Sequence, residues 1–199
     1  MKPGDSRVFP VRSNPASPPS IRRERIFMKS TSIGLFYGSS TCYTEMTAEK
    51  IQRYFTKDQL DVHNIADAPI ETIRHYQNLI FGIPTWDYGE LQEDWEAVWE
   101  AIDDIDLSAK VVALYGQGDQ IGYPDWFLDA MGYLHNKLLL KGAKIVGYWP
   151  NSGYVFSESQ ALTADKSQFV GLALDDENQF ELSEQRIACW CEDIKKHFL

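Results

Sequence analysis

The sequence predicts an α/β fold in which a doubly wound parallel sheet carries helices on both faces. Three observations predict it. Short apolar runs alternate with segments of helical spacing, which indicates parallel strands joined by right-handed helical crossovers. The run from Leu79 to Ile83 is apolar throughout, as is typical of a strand covered on both faces. The 199 residues, 44% of them hydrophobic, suffice for one domain with a substantial core.

Residues 1–27 are predicted to be a disordered extension, and the folded domain is expected at 28–199. The extension contains five prolines, several serines and arginines, and little apolar periodicity. A disordered tail, an upstream start that the cell does not use, and an organelle-targeting peptide all remain open. The prolines disfavour the amphipathic helix that the last of these would need.

Strands are predicted at five apolar runs: 31–37, 59–65, 77–83, 110–116 and 144–149. Between the last run and the apolar stretch from Phe169 to Leu174, residues 150–168 have weak periodicity. This segment is predicted to be an insertion that splits or follows the fifth strand.

Helices are predicted where apolar residues recur at i, i+3, i+4 and i+7. One such stripe runs from Trp95 to Ile102 and another from Ile187 to Ile194. Pro124 is predicted to be the first residue of a helix, a position that proline favours, and Ser183 is predicted to cap the last helix.

The folded part is strongly acidic, since residues 1–27 carry a net charge of +4 and residues 28–199 carry −14. Such a surface repels nucleic acid and anionic lipid and favours a basic protein partner. The three cysteines and four histidines have neither a disulfide framework nor metal-ligand spacing. No metal is therefore expected. The sequence has no apolar run of transmembrane length and no signal-peptide core, so a cytoplasmic location is expected. We also expect a monomer.

A phosphate-binding loop is predicted at 38–44, between the first strand and a helix whose N-terminal N–H groups and dipole attract a phosphate. Its hydroxyl side chains are those of Ser39, Ser40, Thr41 and Thr44. No Lys or Arg lies between Lys29 and Lys50, and neither a P-loop nor a G-x-G-x-x-G pattern is present. The loop therefore favours the monophosphate of a small cofactor over a nucleoside triphosphate.

Two further loops place aromatic rings beyond the carboxyl ends of strands, where ligands bind in doubly wound folds. The loop at 84–90 contains Trp86, and the loop at 116–123 contains Tyr123 among glycines that let the backbone approach a ligand. Two rings beside a phosphate loop indicate a flavin held between them. The alternative is that the rings only shield the end of the sheet.

The three loops together resemble a known family. Gly38-Ser-Ser-Thr-Cys-Tyr-Thr44, Pro84-Thr-Trp-Asp-Tyr-Gly-Glu90 and Gly118-Asp-Gln-Ile-Gly-Tyr123, in this order, are similar to the FMN-binding loops of long-chain flavodoxins, above all the flavodoxin 2 group of gamma-proteobacteria. The likeness spans about residues 31–198. It implies a flavodoxin-like three-layer sandwich, with a five-stranded parallel sheet in the order 2-1-3-4-5 and with 150–168 as the long-chain insertion.

The resemblance implies FMN as the cofactor and implies its contacts. The phosphate loop would comprise Ser39, Ser40, Thr41, Cys42, Tyr43 and Thr44. Trp86 and Tyr123 would flank opposite faces of the isoalloxazine, Thr85 and Asp175 would lie near the ribityl chain, and the backbone of Gly118, Asp119 and Gln120 near the pyrimidine edge. Pro84, Asp87, Tyr88, Gly89 and Gln117 complete the predicted contacts.

The phosphate loop departs from the family at one position. The usual pattern has glycine where this chain has Cys42. A helical conformation at this point would accommodate cysteine, and we expect that conformation.

The implied function is that of a low-potential one-electron carrier with no catalytic residues of its own, since the cofactor carries the redox chemistry. It would take electrons from a ferredoxin/flavodoxin-NADP reductase and pass them to low-potential acceptor enzymes. Two alternatives remain open. An FMN-dependent NAD(P)H:quinone reductase of related fold would need a nicotinamide site over the ring, and an FMN-free interaction module would leave Trp86 and Tyr123 without a flat partner.

Overall fold

The computed structural model describes residues 33–198, so the predictions for residues 1–27 lie outside the described part of the chain. In chain order the elements are β1 (Ile33–Tyr37), α1 (Tyr43–Gln52), β2 (Leu60–Asn64), β3 (Asn78–Trp86), β4 (Glu90–Leu91), α2 (Glu93–Val98), β5 (Val111–Gln117), α3 (Asp129–Leu140), β6 (Lys144–Val146), β7 (Trp149–Pro150), β8 (Gln168–Phe169), β9 (Leu172–Leu174) and α4 (Phe180–Phe198). Short 3-10 helices at Ile70–His75 and Ala101–Asp104 precede β3 and β5.

The main sheet has the order β2-β1-β3-β5-β6, with all neighbours on this path parallel, so the predicted doubly wound order is confirmed. The fifth strand is in two pieces, because β6 pairs with the first half of β5 and β9 with the second half. Of the two placements predicted for the insertion, it therefore splits the fifth strand. The short β4 adds an antiparallel edge to β3, and β7 pairs with β8 where the insertion begins and ends.

Two cores fill the spaces above and below the sheet, because successive strand residues point to opposite faces. Ile33 and Leu35 pack with residues of α1 and α4 on one face. Phe36 and Phe81 pack on the other face, with α3, the buried Trp95 and apolar residues of the insertion. The result is the three-layer arrangement that the sequence predicted.

The first piece of the fifth strand ends earlier than predicted. The prediction extended it to residue 149, whereas β6 ends at Val146. Gly147 has φ +76°, in the left-handed region, and its carbonyl accepts a hydrogen bond from the Trp190 indole at 2.7 Å. This turn takes the chain off the sheet into the insertion.

Two predicted helix starts are wrong. Pro124 begins no helix, because its carbonyl accepts N–H groups of the insertion and the chain reverses at Leu128, with φ +64°, before α3 starts at Asp129. Ser183 caps nothing, since α4 begins three residues earlier at Phe180. The hydroxyl of Ser183 instead donates to the buried carboxylate of Asp176.

Candidate functional site

A cleft of about 230 Å³ opens at the carboxyl ends of β1, β3 and β5, where the three predicted loops meet. It is lined by Thr41, Tyr43, Pro84, Thr85, Trp86, Asp87, Gln117, Gly118, Asp119, Tyr123, Asp176 and Glu177. Ten of these were candidate site residues. Asp176 and Glu177 were missed, although an acidic run at the carboxyl end of the fifth strand is a signal that could have found them.

The other eight candidates, Ser39, Ser40, Cys42, Thr44, Tyr88, Gly89, Gln120 and Asp175, lie around the cleft and not on its lining. Ser40 is turned towards α2, where its hydroxyl donates to Glu93 and accepts from Gln92. Thr44 is buried, and its carbonyl accepts the hydroxyl of Tyr115 at 2.9 Å. These two residues support the loop through contacts with its neighbours.

The phosphate loop contains a buried hydroxyl that lacks a partner. The Oγ of Ser39 is buried and has no hydrogen-bond partner among the described residues. Leaving a buried polar group unpaired costs about 1 to 3 kcal/mol. The ten-residue α1 begins just beyond it, and the residue that caps α1 gives its N–H groups no side-chain acceptor. The loop thus has a donor set that fits a phosphate.

Cys42 does not adopt the expected helical conformation. It has φ +70° and ψ −13°, which is left-handed, and it forms the N-cap of α1 with no side-chain hydrogen bond. Its carbonyl accepts the N–H of Met46 at 2.8 Å, so the strained residue is the one that starts the helix. Left-handed backbone costs a residue with a Cβ about 1 to 2 kcal/mol, which explains why glycine is usual here.

The second loop is a tight turn between β3 and β4. Asp87 has φ +40° and Gly89 has φ +91°, and the N–H of Gly89 donates to the carbonyl of Trp86 at 3.1 Å. A Cβ at Gly89 would lie only 3.1 Å from Oδ2 of the buried Asp129, so the turn packs closely on the start of α3. This turn places Trp86 at the wall of the cleft.

Two side chains join the second loop to its surroundings. The Oγ1 of Thr85 accepts the N–H of Ala130 at 3.2 Å, so it satisfies a donor in the first turn of α3 and keeps its own proton available to the cleft. Tyr88 is 68% exposed, and its ring lies edge-on to Trp126, with centroids 5.1 Å apart, and to Tyr123 at 6.2 Å.

The third loop is held by its own hydrogen bonds. The Oδ1 of Asp119 accepts the N–H groups of Ile121 at 3.0 Å and Gly122 at 2.7 Å, and its carbonyl accepts the N–H of Tyr123. Partial burial alone would raise the pKa of Asp119, but these donors and the Asn178 amide outweigh burial and hold the pKa below its usual value. The ring of Tyr123 is therefore carried by a fixed turn.

Asp175 supports the third loop from beneath and does not face the cleft. It is fully buried, and its Oδ2 accepts the backbone N–H of Gln120 at 3.1 Å and the Gln120 amide at 2.7 Å. Its Oδ1 accepts the backbone N–H of Asn178 at 3.0 Å.

The cleft is lined by four carboxylates and by no Lys, Arg or His. They are Asp87, Asp119, Asp176 and Glu177. The negative charge of Glu177 raises the pKa of the Tyr43 phenol above its ordinary value.

The comparisons with known proteins agree with this geometry. Residues 35–190 match the flavodoxin family. The chain is 59% identical to flavodoxin 2 of Salmonella typhi and 57% identical to flavodoxin 2 of Escherichia coli strain K12, each over 162 residues that cover 81% of this chain and 94% of the relative. The chain belongs to the flavodoxin family. Flavodoxins are electron-transfer flavoproteins and not substrate-converting enzymes.

A solved flavodoxin has the same fold. The crystal structure of Fusobacterium nucleatum flavodoxin bound to flavin mononucleotide superposes with a TM-score of 0.80 at 33% identity, over 84% of this chain and 99% of that chain. Between residues 33 and 198, no helix is both long and apolar enough to cross a bilayer, and no group of three or more His, Cys, Asp or Glu side chains is arranged to hold a metal ion.

Proposed function

We propose that the cleft binds one FMN non-covalently and that the protein carries single electrons from a reductase to low-potential acceptor enzymes. The observation that carries the proposal is the buried, unpartnered Ser39 hydroxyl in the loop before α1, beside a cleft whose walls include Trp86 and Tyr123. The similarity to a flavodoxin solved with flavin mononucleotide supports the choice of cofactor.

Different residues in and around the cleft would contact the phosphate, the isoalloxazine and the ribityl chain of FMN. The hydroxyls of Ser39 and Thr41 and the N–H groups at the start of α1 would bind the phosphate without a cation. The rings of Trp86 and Tyr123 would cover the two faces of the isoalloxazine, since aromatic rings stack on flat partners. The Thr85 hydroxyl, whose oxygen already accepts from Ala130, would donate to the ribityl chain.

Bound FMN supplies the one-electron chemistry, and the protein sets the electrostatic field around it. Asp87, Asp119, Asp176 and Glu177 line the cleft with no basic side chain among the lining residues. Their negative charges oppose the addition of another negative charge in the cleft. This field supports a low reduction potential.

The same acidic surface supports docking of a basic partner. Residues 28–199 carry a net charge of −14, which steers positively charged surfaces towards the molecule. We accordingly propose a ferredoxin/flavodoxin-NADP reductase as electron donor, with the protein acting as a cytoplasmic monomer.

The test is a pair of titrations of the apoprotein, one with FMN and one with riboflavin, in the wild type and in Ser39→Ala. We expect one equivalent of FMN to bind with quenching of flavin fluorescence. Ser39→Ala should weaken FMN by about tenfold, because a hydrogen bond to a charged group is lost, and should leave riboflavin unchanged. Ser108→Ala, at an exposed turn before β5, is the matched control. Equal losses for both ligands would contradict the phosphate assignment.

A further inference from the structure

The insertion lies along the segment that follows the third loop of the cleft and is bonded to that segment at successive positions. The N–H groups of Ser157 and Glu158 donate to the carbonyl of Pro124 at 2.8 and 3.1 Å. The hydroxyl of Ser159 donates to the carbonyl of Phe127, and the N–H of Gln160 donates to the carboxylate of Asp129. The insertion therefore braces the chain from Pro124 to the start of α3.

One contact extends this brace to the cleft itself. The N–H of Val155 donates to Oε1 of Gln120, whose side chain is 2% exposed. The Nε2 of the same amide donates to Asp175 at 2.7 Å, and the backbone N–H of Gln120 donates to the same carboxylate oxygen. A single buried amide thus joins the insertion, the third loop and the end of β9.

Gln120 occupies the middle of the turn that forms one wall of the cleft. Gly118 and Asp119 line the cleft immediately before it, and Tyr123 lines it three residues later. The carbonyl of Asp119 accepts the N–H of Tyr123 at 3.0 Å, which closes the turn around Gln120. A displacement of Gln120 would therefore move both the backbone at the cleft and the aromatic ring.

We propose that Gln120 is a positioning residue whose amide, held by the backbone N–H of Val155, fixes the wall of the cleft against the isoalloxazine edge and so tunes FMN affinity and potential. The inference rests on the proposed FMN site. Although Val155 is 71% exposed, its backbone N–H donates to the buried amide of Gln120. Through this hydrogen bond the insertion contributes to the tuning of the cofactor. In a buried hydrogen-bonded network of this kind, a displacement of one group displaces its partners, because leaving a buried polar group unpaired costs free energy.

The test compares Val155→Pro, which removes the N–H, with Val155→Ala, which keeps it. Val155→Pro should raise the FMN dissociation constant by about tenfold, the effect of one buried hydrogen bond, and should shift the midpoint potential of the bound flavin. Val155→Ala should match the wild type in both. A purely structural role would lower thermal stability and leave the potential of the loaded protein unchanged.

Gln120→Leu provides a second route that does not depend on the backbone of the insertion. It should weaken FMN at least as much as Val155→Pro, and the double variant should bind FMN as Gln120→Leu does, because both changes remove the same bond. The proposal would be overturned if the losses of FMN affinity in the two single variants multiplied in the double variant. It would also be overturned if Gln120→Leu had the affinity and potential of the wild type.

Amide hydrogen exchange in the apoprotein separates this inference from the proposed function. Val155→Pro should speed exchange of the Gln120 N–H by about tenfold relative to Val155→Ala, whether or not FMN binds. Failure of the wild type to bind FMN would refute the proposed function and the tuning that rests on it, and a faster exchange in Val155→Pro would still establish the brace. Equal exchange rates in the two variants would refute the brace.

Discussion

Cys42 has a strained backbone and lies in the proposed phosphate-binding loop. It takes a left-handed conformation at the N-cap of α1, beside the hydroxyls proposed to hold the phosphate. Its side chain makes no hydrogen bond there, so the conformation is imposed by the loop and not by the cysteine.

Cys42→Gly should therefore stabilise the protein. Removing the Cβ relieves about 1 to 2 kcal/mol of strain. The greater freedom of glycine in the unfolded chain lowers the stability by about 0.5 to 1 kcal/mol, which offsets part of this gain. We expect the free energy of unfolding to rise by roughly 0.7 kcal/mol, the difference between the midpoints of these two ranges, as measured by denaturant titration. Cys189→Gly, in the exposed face of α4, is the control and should lower stability, by about 1 kcal/mol. A fall of similar size in both variants would show that Cys42 is unstrained.

The start of α3 is the element on which the second loop depends. Leu128 caps α3 in a left-handed conformation with no side-chain hydrogen bond, and the Thr85 hydroxyl supplies an acceptor for the N–H of Ala130. A residue of β3 thus caps a helix that begins more than forty residues later.

Thr85→Val should lower the free energy of unfolding by about 1 kcal/mol, the usual cost of losing a helix cap. It should also weaken FMN, because the loop that carries Trp86 loses its anchor. Thr85→Ser keeps the hydroxyl and should behave as the wild type in thermal melts and FMN titrations. Loss of stability in Thr85→Ser to the same extent would show that the methyl group, and not the hydroxyl, does the stabilising.

Elements that follow local spacing were predictable, and elements set by distant contacts were not. The alternation of apolar runs with helical spacing predicted a parallel sheet joined by right-handed crossovers, and the resemblance of the three loops to long-chain flavodoxins implied the order of its strands. The start of α3 was not predictable, since Pro124 is held out of the helix by N–H groups of Ser157 and Glu158, more than thirty residues away. Ser183 bonds to Asp176 across a turn whose geometry the sequence does not reveal.

The candidate site shows the same division. Residues in the three loops, such as Trp86 and Tyr123, could be predicted because each loop follows a strand and strands end at one edge. The left-handed conformation of Cys42 and the burial of Asp175 depend on how neighbouring elements close over them. Periodicity carries no information about either feature.

At the scale of the whole molecule, charge is the dominant feature. Asp87 and Glu177 are exposed at the cleft, and residues 28–199 carry a net charge of −14. Electrostatic attraction between such a surface and a basic reductase is long-ranged and is screened by salt.

Neutralising the two carboxylates in Asp87→Asn/Glu177→Gln should slow reduction by a basic reductase at low ionic strength, by a few-fold, because steering is weakened. In stopped-flow measurements, the reduction rate of the double variant should depend less steeply on ionic strength than the rate of the wild type. Asp58→Asn, exposed in the turn before β2, is the control and should change the slope less. An unchanged slope in the double variant would reject steering at the cleft.

A crystal structure of the chain grown with FMN tests the proposed binding site most directly. We expect the isoalloxazine to lie between Trp86 and Tyr123, and the phosphate to lie on the Ser39 hydroxyl and the N–H groups at the start of α1, with no lysine or arginine in contact. A ring bound elsewhere, or a phosphate held by a basic side chain, would contradict it.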